Sequence, residues 1–585
     1  MTECFPLYNP TPREPDADAR STFNPAMLQH FFRADGEGFR FDFRPDLKDI
    51  RCPTLVLGGD LDPLTPIADQ DDIATALPAA WCTTSVSPAR ATALAATSLG
   101  VISRSCASSW PGCRTMLMTD PHPVSEWLPE AVAYAARWLG HQRAATEQPG
   151  CVLAVAHNGV VVAEHAFGVA NLSRGTPLTP AHRFRIASHS KTFTAAAIMK
   201  LHEAGRLHLD DPVGTHVDGL PPAVAAITVA QLLSHSGGLT RDGALALHWQ
   251  GKAPFFAAGA LRRELDAPPV LPPNSRFKYS NVGFGLAGTL IERLTGESFD
   301  TWVQREVVTP SGLDATTPDM PVPDGTSLAT GHSARLPFGQ RVPIPGHAPT
   351  AALCAATGFV STAADLARWV GSLDPAAPVS VLSVASRREM IRRHWAVPDD
   401  TAGRHYGLGI IGGTRDGHDW FGHSGAFPGF ISRTACVPDW GVTVSIVTNA
   451  IDGPANPWID GILGILHRFA RHGPADPAVA GWTGRWWTIW GALDLVPMGR
   501  TVQIAVPDQM QPFADAGELT VDSPTTARIS RSNGFGSHGE PAIRTLGPDG
   551  TATALRLGGA ELLPEAVLLD QRQGPDATLD PMPAA

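Results

Sequence analysis

Alternating apolar and polar residues mark two pairs of strands in this chain. Apolar runs at residues 151–156 and 160–162 flank the turn His157-Asn158-Gly159, and an Asn-Gly turn between such runs is typical of a β-hairpin. The runs Phe430–Val437 and Val442–Thr448 are separated by a Pro-Asp-Trp-Gly turn. Both patterns predict antiparallel strand pairs.

A helical pattern lies between the two strand pairs. Over residues 190–204 the apolar residues Phe193, Ala197 and Leu201 recur at helical spacing, and Gly205 follows as a helix terminator. The pattern predicts a helix that buries one face.

The C-terminal part of the chain changes to short strand-like pieces rich in Gly and Pro. We expect a linker near Pro474 and Pro477 and a hairpin formed by residues 542–546 and 551–557. Four tryptophans predict core and barrel-mouth packing rather than a ligand cage, because aromatic side chains usually bury themselves: Trp482, Trp486, Trp487 and Trp490. The pattern predicts a small β-barrel or sandwich without catalytic residues.

Length and composition favour a folded protein of about three domains. The chain has 585 residues, of which 43% are hydrophobic and 17% charged. Its formal net charge is −11, and no Lys/Arg-rich run is present to neutralise a phosphate backbone. We therefore expect no nucleic-acid partner.

The sequence contains no stretch of about 18 apolar residues that would span a bilayer. The N-terminal segment lacks the pattern of a secretion signal. The eight cysteines are scattered, without metal-ligand spacing. These features predict a cytoplasmic protein without a membrane partner, cofactor or metal; the oligomeric state is left open.

Ser188 and Lys191 supply the first candidate chemistry. They stand three positions apart at the start of the expected helix, so their side chains share one face. An amine with a lowered pKa activates a serine hydroxyl, and a helix N-terminus stabilises the oxyanion formed by attack on a carbonyl. A second Ser-x-x-Lys, residues 275–278, opens no such helix, which shows how little this spacing means alone.

The signal becomes specific because two further motifs follow in order. Tyr279 and Asn281 stand two residues apart, and the segment His423-Ser424-Gly425-Ala426 directly precedes the second strand pair. The ordered set resembles the family of class C β-lactamases, penicillin-binding proteins, D-aminopeptidases and esterases over residues 123–465. Further segments carry the resemblance: Leu209–Pro212, Gln231–Leu239, Tyr406–Gly409 and Phe427–Phe430.

The resemblance implies a role for each motif residue. Ser188 would be acylated, and Lys191 and Tyr279 would share the acid and base steps. Asn281 would bind either the substrate amide or the amine of Lys191. The residues of the third motif would bind substrate on an edge strand, with the backbone N–H groups of Ser188 and Ala426 as the oxyanion hole: His423, Ser424, Gly425 and Ala426.

The family resemblance also implies an α+β fold. An antiparallel sheet flanked by helices would carry an all-helical lobe between about residues 200 and 350, and a lipocalin-like barrel would follow. We expect a hydrolase domain at 123–468 and a barrel domain at 476–580. His235 and Ser236 are expected to be structural, and His189 is expected to point away from the cleft.

His423 stands where many β-lactamases and penicillin-binding proteins have Lys. A Lys anchors a substrate carboxylate, whereas His is mostly neutral at pH 7. The substitution favours hydrolysis of a small ester or amide, as in esterases and D-aminopeptidases, over β-lactamase or DD-carboxypeptidase activity. A non-catalytic sensor of peptidoglycan fragments is the alternative from another class.

Residues 1–120 resemble a different family. The segment Ile50–Pro63 is an apolar run ending in a Gly/Asp turn, and it resembles a late strand of proline iminopeptidase-like α/β-hydrolases, with Asp62 as the counterpart of their acid. No Gly-x-Ser-x-Gly elbow precedes Asp62, and no His lies between it and His122. We therefore expect an incomplete, partly irregular and inactive fragment. An alternative hypothesis is that this N-terminal segment carries the hydrolase activity.

Overall fold

The computed structural model describes residues 54–59, 82–87, 122–336 and 339–573, in two compact units, Met1–Thr119 and Asp120–Ala585. In the first unit, strands β1 (Thr54–Gly59) and β2 (Cys82–Ser87) pair in parallel. β1 lies in the apolar run that predicted a buried strand. Asp62 and the remainder of the expected α/β-hydrolase fragment lie outside the described residues, and that resemblance stays a prediction.

A nine-stranded antiparallel sheet organises the second unit. Its strands are β3 (Gly150–His157), β4 (Val160–Asn171), β5 (Thr176–Pro177), β6 (Trp395–Ala396), β7 (His405–Tyr406), β8 (Ile411–Arg415), β9 (His418–Phe427), β10 (Phe430–Val437) and β11 (Val442–Thr448). Their spatial order is β6-β7-β8-β9-β10-β11-β3-β4-β5. Both strand pairs expected from the sequence are confirmed, β3 with β4 and β10 with β11.

Helices cover both faces of this sheet and continue beyond it. They are α1 (Val124–Ala145), α2 (Ser190–Glu203), α3 (Pro222–Ala225), α4 (Val229–Leu233), α5 (Ala258–Glu264), α6 (Asn281–Thr295), α7 (Phe299–Val303), α8 (Cys354–Thr357), α9 (Ala363–Ser372), α10 (Val384–Ile391), α11 (Ala455–His472), α12 (Pro477–Ala480) and α13 (Glu565–Gln573). The helix expected over residues 190–204 is α2. No helix among the described residues is long and apolar enough to cross a membrane.

The two faces of the sheet pack into separate apolar clusters because successive strand residues point to opposite sides. In β3, Leu153 and Val155 pack with α1 and α11, while Val152 and Ala154 pack with α2, α6 and α9. α2 is buried almost throughout. The residues at its N-terminus are therefore held from all sides.

The region expected to form an all-helical lobe also contains extended segments. Gly331–His332 pairs with Pro343–Ile344, and Phe184–Arg185, just before the lobe, pairs with Val360–Ser361. The expected fold class is confirmed, and these short strand pairs accompany the helices of the lobe. These two-residue pairs are too short to leave an alternating apolar pattern.

Eight antiparallel strands form the C-terminal barrel. They are β12 (Gly484–Thr488), β13 (Gly491–Met498), β14 (Thr501–Ala505), β15 (Gly517–Val521), β16 (Thr526–Arg531), β17 (Pro541–Leu546), β18 (Ala552–Leu557) and β19 (Ala560–Leu562). Trp487 and Leu563 exchange backbone hydrogen bonds of 2.8 and 3.0 Å, which bring the last strand against the first. The expected hairpin is β17 with β18.

The segment expected as a linker forms hydrogen bonds both to helix α1 and to the barrel. The N–H of Ala475 donates to Glu130 of α1 at 2.9 Å, and that of Asp476 donates to the carbonyl of Gly499 at 2.7 Å. Among the four tryptophans, Trp482 and Trp486 are buried, but Trp490 is 93% exposed. Its assignment to packing is wrong because it lies at the tip of the β12–β13 hairpin, where no described residue covers it.

Candidate active site

Ser188 lies in a short 3₁₀ turn, Ala187–His189, that leads into α2. Ala187 has a φ of 49°, a left-handed conformation that persists in a non-glycine residue only when its surroundings impose it. The Ser190 hydroxyl donates to the Ala187 carbonyl at 2.5 Å and accepts from the Phe359 N–H at 3.1 Å. Ser188 is partly exposed while its neighbours are buried, so its hydroxyl is accessible.

The amine of Lys191 is completely buried next to that hydroxyl. Its Nζ atom lies 3.2 Å from Ser188 Oγ, 2.7 Å from Asn281 Oδ1 and 2.8 Å from the Ala356 carbonyl oxygen. Burial is the main reason that the pKa of Lys191 lies well below its usual range, and the charge of Arg241 lowers it further. The neutral amine, which accepts a proton, is therefore favoured.

The three neighbours of the amine determine where its lone pair points. A neutral amine has two N–H bonds and one lone pair, and the carbonyl oxygens of Asn281 and Ala356 accept hydrogen bonds only. They take the two N–H groups. The third direction points to Ser188 Oγ, to which an ammonium group donates and which the lone pair of the neutral amine faces, as a general base requires.

Tyr279 lies beside the same hydroxyl. Its phenol interacts with the Ser188 side chain, and its ring centroid is 4.8 Å from Lys191 Nζ. Burial raises the pKa of the Tyr279 phenol above its usual range. The phenol is therefore protonated at neutral pH and is available as a hydrogen-bond donor.

His235 supports the ring of Tyr279 from the side. The two ring centroids lie 4.1 Å apart, and His235 Nδ1 accepts the Ser280 N–H at 3.1 Å. Burial places the pKa of His235 well below its usual range, so the ring is neutral. These contacts agree with the structural role expected for His235.

Asn281 is the first residue of α6, and both ends of its amide are fixed. Its Oδ1 accepts from Lys191, and its Nδ2 donates to Asp242 Oδ1 at 2.5 Å. Ser280 caps α6 by accepting the Gly283 N–H at 2.8 Å. The substrate amide and the Lys191 amine were the two partners expected for Asn281, and the structure shows the hydrogen bond to the Lys191 amine.

Asp242 belongs to the site but was not identified from the sequence. Its carboxylate accepts from Asn281, from Trp249 Nε1 at 2.9 Å and from Arg241 Nε at 3.0 Å. The only sequence signal was an Arg-Asp pair shortly after the Ser-Gly-Gly-Leu segment. No spacing rule links that pair to Ser188, because tertiary folding brings them together.

Strand β9 approaches the Ser188 turn most closely at Gly425. A Cβ atom at Gly425 would lie 2.1 Å from the carbonyl oxygen of Ile186, so any larger residue would displace one of the two backbones. β9 pairs with β8 only up to Gly422. Residues 423–427 therefore form a free edge that faces the nucleophile.

The backbone of that edge presents N–H groups to the cleft. Phe427 pairs with Phe430 across a two-residue turn, and Ala426 pairs with Ile431. Hydrogen-bonded and non-hydrogen-bonded pairs alternate in an antiparallel ladder. The N–H of Ala426 is consequently directed away from β10 and toward the free edge, as an oxyanion hole requires.

His423 is buried, and both of its ring nitrogens are engaged. Nε2 lies 2.9 Å from the hydroxyl of Tyr406, and Nδ1 lies 2.7 Å from the Ser424 carbonyl oxygen. Burial is the main reason that the pKa of His423 lies well below its usual range. His423 is therefore neutral and does not offer a charge to a substrate carboxylate.

A single cleft of about 280 Å³ brings the expected residues together. Ser188, Tyr279, Asn281 and residues 423–426 line it, and Lys191 lies buried beneath Ser188. The cleft also contains residues that sequence reasoning missed: Arg241, Asp242, Trp249, Ile411, Ile431 and Asn456.

His189 points into the sheet, as expected. Its Nε2 lies 3.1 Å from Thr434 Oγ1, and burial lowers its pKa to about 3. Within the part of the chain that the structure describes, no three His, Cys, Asp or Glu side chains are grouped to hold a metal ion.

Comparisons with known proteins identify the family of this chain. A family profile described as Beta-lactamase matches residues 135–458. Penicillin-binding protein 4 of Amycolatopsis lactamdurans is 30% identical over 316 residues, which cover 52% of this chain and 81% of that protein. A D-aminopeptidase of Gluconobacter oxydans is 26% identical over 314 residues, which cover 52% of this chain and 56% of that protein.

Similarity to solved structures extends over more of the chain. An octameric penicillin-binding protein homologue from Pyrococcus abyssi superposes with a TM-score of 0.53 and 24% identity, covering 74% of this chain and all of that one. That identity supports the fold alone. The profile match over more than half of the chain shows that this chain belongs to the β-lactamase family of serine hydrolases.

Proposed function

We propose that this chain hydrolyses a small ester or amide through an acyl-enzyme on Ser188. The observation that carries the proposal is the environment of Lys191: its Nζ lies 3.2 Å from Ser188 Oγ, its other two neighbours are carbonyl oxygens, and burial lowers its pKa. A structural lysine would gain nothing from being desolvated in this way, whereas a base acting near neutral pH needs it.

Acylation follows from the contacts of the cleft. Lys191 removes the proton of Ser188 while Oγ forms a bond to the substrate carbonyl carbon, and the carbonyl oxygen becomes an oxyanion. The N–H groups of Ser188 and Ala426 stabilise that charge. When the oxyanion collapses, the bond to the leaving group breaks, and Tyr279 donates a proton that Lys191 replaces.

Deacylation uses the same groups in the reverse order. A water molecule takes the place of the leaving group, and its oxygen forms a bond to the acyl carbon as Tyr279 accepts its proton and passes its own proton to Lys191. The bond between Ser188 Oγ and the acyl carbon then breaks, and Lys191 returns a proton to Oγ. Asn281 keeps Lys191 oriented in both steps, because it holds one N–H at 2.7 Å.

The neutral, engaged state of His423 supports an ester, an amide or a D-amino-acid derivative as substrate. It removes the edge-strand cation that would bind the carboxylate of a β-lactam. The similarity to a D-aminopeptidase supports the same choice. β-Lactamase activity and a non-catalytic sensor of peptidoglycan fragments are the alternatives that the assay below separates, and DD-carboxypeptidase activity is a further alternative.

We further propose that residues 123–468 form the hydrolase domain and residues 476–580 the barrel domain. The end of α11 at His472, before the first barrel strand at Gly484, supports a change of domain in this region. The cytoplasmic location stays a prediction from the sequence.

Three substrates in one assay test the proposal. We expect Ser188-dependent turnover of p-nitrophenyl acetate or D-alanine p-nitroanilide and little turnover of nitrocefin. Ser188→Ala is the control for background hydrolysis. Fast nitrocefin turnover would replace the esterase or amidase assignment with β-lactamase activity, and no turnover of any substrate would favour the sensor.

A further inference from the structure

The edge of strand β9 that faces the nucleophile is held by backbone hydrogen bonds on one side only. Pairing with β8 ends at Gly422, so β10 alone continues the ladder along residues 423–427. The N–H of Ala426 lies on this edge. Because catalytic groups must be held within about 0.5 Å of their productive positions, an edge with one free side needs further support from side chains.

The ring of Phe427 provides such support. Phe427 is the last residue of β9, and it is buried in the apolar cluster on the side of the sheet that carries α2. Its ring centroid lies 5.9 Å from that of Trp249, which lines the cleft, and 4.3 Å from the guanidinium carbon of Arg185. The position of Ala426, the neighbour of Phe427, therefore depends on what holds this ring.

Arg185 lies on the same segment as the nucleophile. It stands three residues before Ser188, in a two-residue strand that pairs with Val360–Ser361. The next residue, Ile186, donates its N–H to the Phe359 carbonyl at 3.0 Å. The backbone of Arg185 is thus fixed beside the nucleophile, while its side chain reaches the edge of β9. One residue relates the two groups whose relative position controls acylation.

Asp319 holds the guanidinium of Arg185. Its Oδ1 lies 3.5 Å from Arg185 Nη1, and its Oδ2 accepts the N–H groups of Thr350 and Ala351 at 2.7 and 3.1 Å. That segment leads into α8, whose Ala356 carbonyl orients the buried amine of the base. The ion pair therefore connects the edge of β9 to a second part of the active site.

Fold stability alone does not explain a charge at position 185. The Arg185 side chain is 2% exposed, and its Nε and Nη2 atoms have no hydrogen-bond partner among the described residues. Burial lowers the pKa of Arg185 and raises that of Asp319 despite their attraction, and apolar side chains often replace such pairs without loss of stability. The contact that remains is the face of Phe427, and cation–π attraction is strongest where water is excluded.

We propose that Arg185 is a positioning residue for the oxyanion hole: it holds the ring of Phe427 and thereby fixes the N–H of Ala426 relative to the nucleophile. Arg185 is buried and does not line the cleft, so it acts through Phe427 and not on the substrate. The rival explanation is a purely structural role. This inference rests on the proposed function and adds a residue to its machinery.

Separate kcat and KM values of Arg185→Met test the inference, with p-nitrophenyl acetate or D-alanine p-nitroanilide as substrate. Acylation and deacylation both pass through an oxyanion, so a displaced Ala426 N–H slows both steps and leaves KM unchanged. We expect kcat to fall about tenfold or more, with KM within about twofold of the wild-type value. A purely structural role predicts a lower Tm and an unchanged kcat, which would overturn the inference.

Arg544→Met is the matched control. Arg544 is also buried, and its guanidinium carbon lies 4.4 Å from the ring centroid of Trp482 in the barrel. The variant therefore loses a similar buried contact at a residue that does not line the cleft, and its kcat should be unchanged. An equal fall of kcat in Arg544→Met would overturn the inference, because the fall would then reflect general destabilisation.

Phe427→Leu completes a double-mutant cycle. If Arg185 acts through the ring, Arg185→Met should lower kcat by less than about threefold once the ring is absent, whereas additive losses would overturn the inference. If circular dichroism shows Arg185→Met to be unfolded, Arg185→Lys replaces it with the same expected result, since Lys keeps the charge but not the flat guanidinium. Wild-type turnover no faster than that of Ser188→Ala would instead show that the proposed function fails.

Discussion

The Oδ1 atom of Asn281 lies 2.7 Å from the Nζ atom of Lys191. This contact joins the first residue of α6 to the first turn of α2, although 90 residues separate the two in sequence. An amide oxygen orients the amine without adding charge. The protonation state of Lys191 therefore depends on a neutral neighbour at this position.

Asn281→Asp should move the pH dependence of kcat/KM. A carboxylate next to Lys191 favours the ammonium form and raises its pKa, so the base becomes available only at higher pH. We expect the rising limb of the kcat/KM profile to shift upward by about one pH unit or more. Asn456→Asp, elsewhere in the cleft, is the control. An unchanged limb in Asn281→Asp would contradict the base role of Lys191.

Lys191→Met should separate stability from activity. The pKa of Lys191 is lower in the folded than in the unfolded protein, so its destabilising effect is complete below the folded pKa and disappears above the unfolded value of about 10.4. We expect Lys191→Met to raise Tm, more at low pH than near pH 10, and to lower kcat/KM about a thousandfold.

Lys200→Met on the same helix is the control for Lys191→Met. Its side chain is 24% exposed and lies 3.7 Å from Glu306. The free energy of unfolding of Lys200→Met should differ from that of the wild-type protein by less than about 0.5 kcal/mol, without a pH trend. A lower Tm for Lys191→Met at every pH would show that the buried amine stabilises the fold.

Gly425→Ala should push strand β9 away from the Ser188 turn and lower kcat/KM. Its Cβ would lie 2.1 Å from the Ile186 carbonyl oxygen, and a displacement of about 1 Å at reacting groups lowers rates about a hundredfold. Gly259→Ala is the control, since its nearest neighbour would be 3.8 Å away. Unchanged kcat/KM in Gly425→Ala would mean that β9 does not position the substrate.

Removal of residues 1–121 should leave the activity intact. Every described residue that lines the cleft belongs to the unit Asp120–Ala585. We expect residues 122–585 to hydrolyse the same substrates with an unchanged kcat/KM. Loss of activity in a fragment with the same circular dichroism spectrum would support the rival hypothesis that the N-terminal segment acts.

The sequence identified the parts of the site that depend on local geometry. Ser188 lies one turn before Lys191 at the start of α2, Tyr279 lies two residues before Asn281 at the start of α6, and residues 423–426 lie together on strand β9. In each case, secondary structure alone fixes the relative position within the motif. The resemblance to a family then supplied the relation between the motifs.

Partners brought together by tertiary folding could not be identified in this way. Asp242 fixes Asn281, and Tyr406 binds His423, but neither pair has a regular spacing. Trp490 was assigned to core or barrel-mouth packing by residue type, whereas its position at a hairpin tip decides its exposure. Burial follows from the neighbours of a residue, which the local pattern does not contain.

Covalent labelling of Ser188 tests the central claim most directly. The intact mass of the full chain and of Ser188→Ala would be measured after incubation with a fluorophosphonate probe, followed by peptide mapping. We expect one adduct per chain, on Ser188, with none on the variant. An unlabelled wild-type protein, or an equal adduct on Ser188→Ala, would contradict the account.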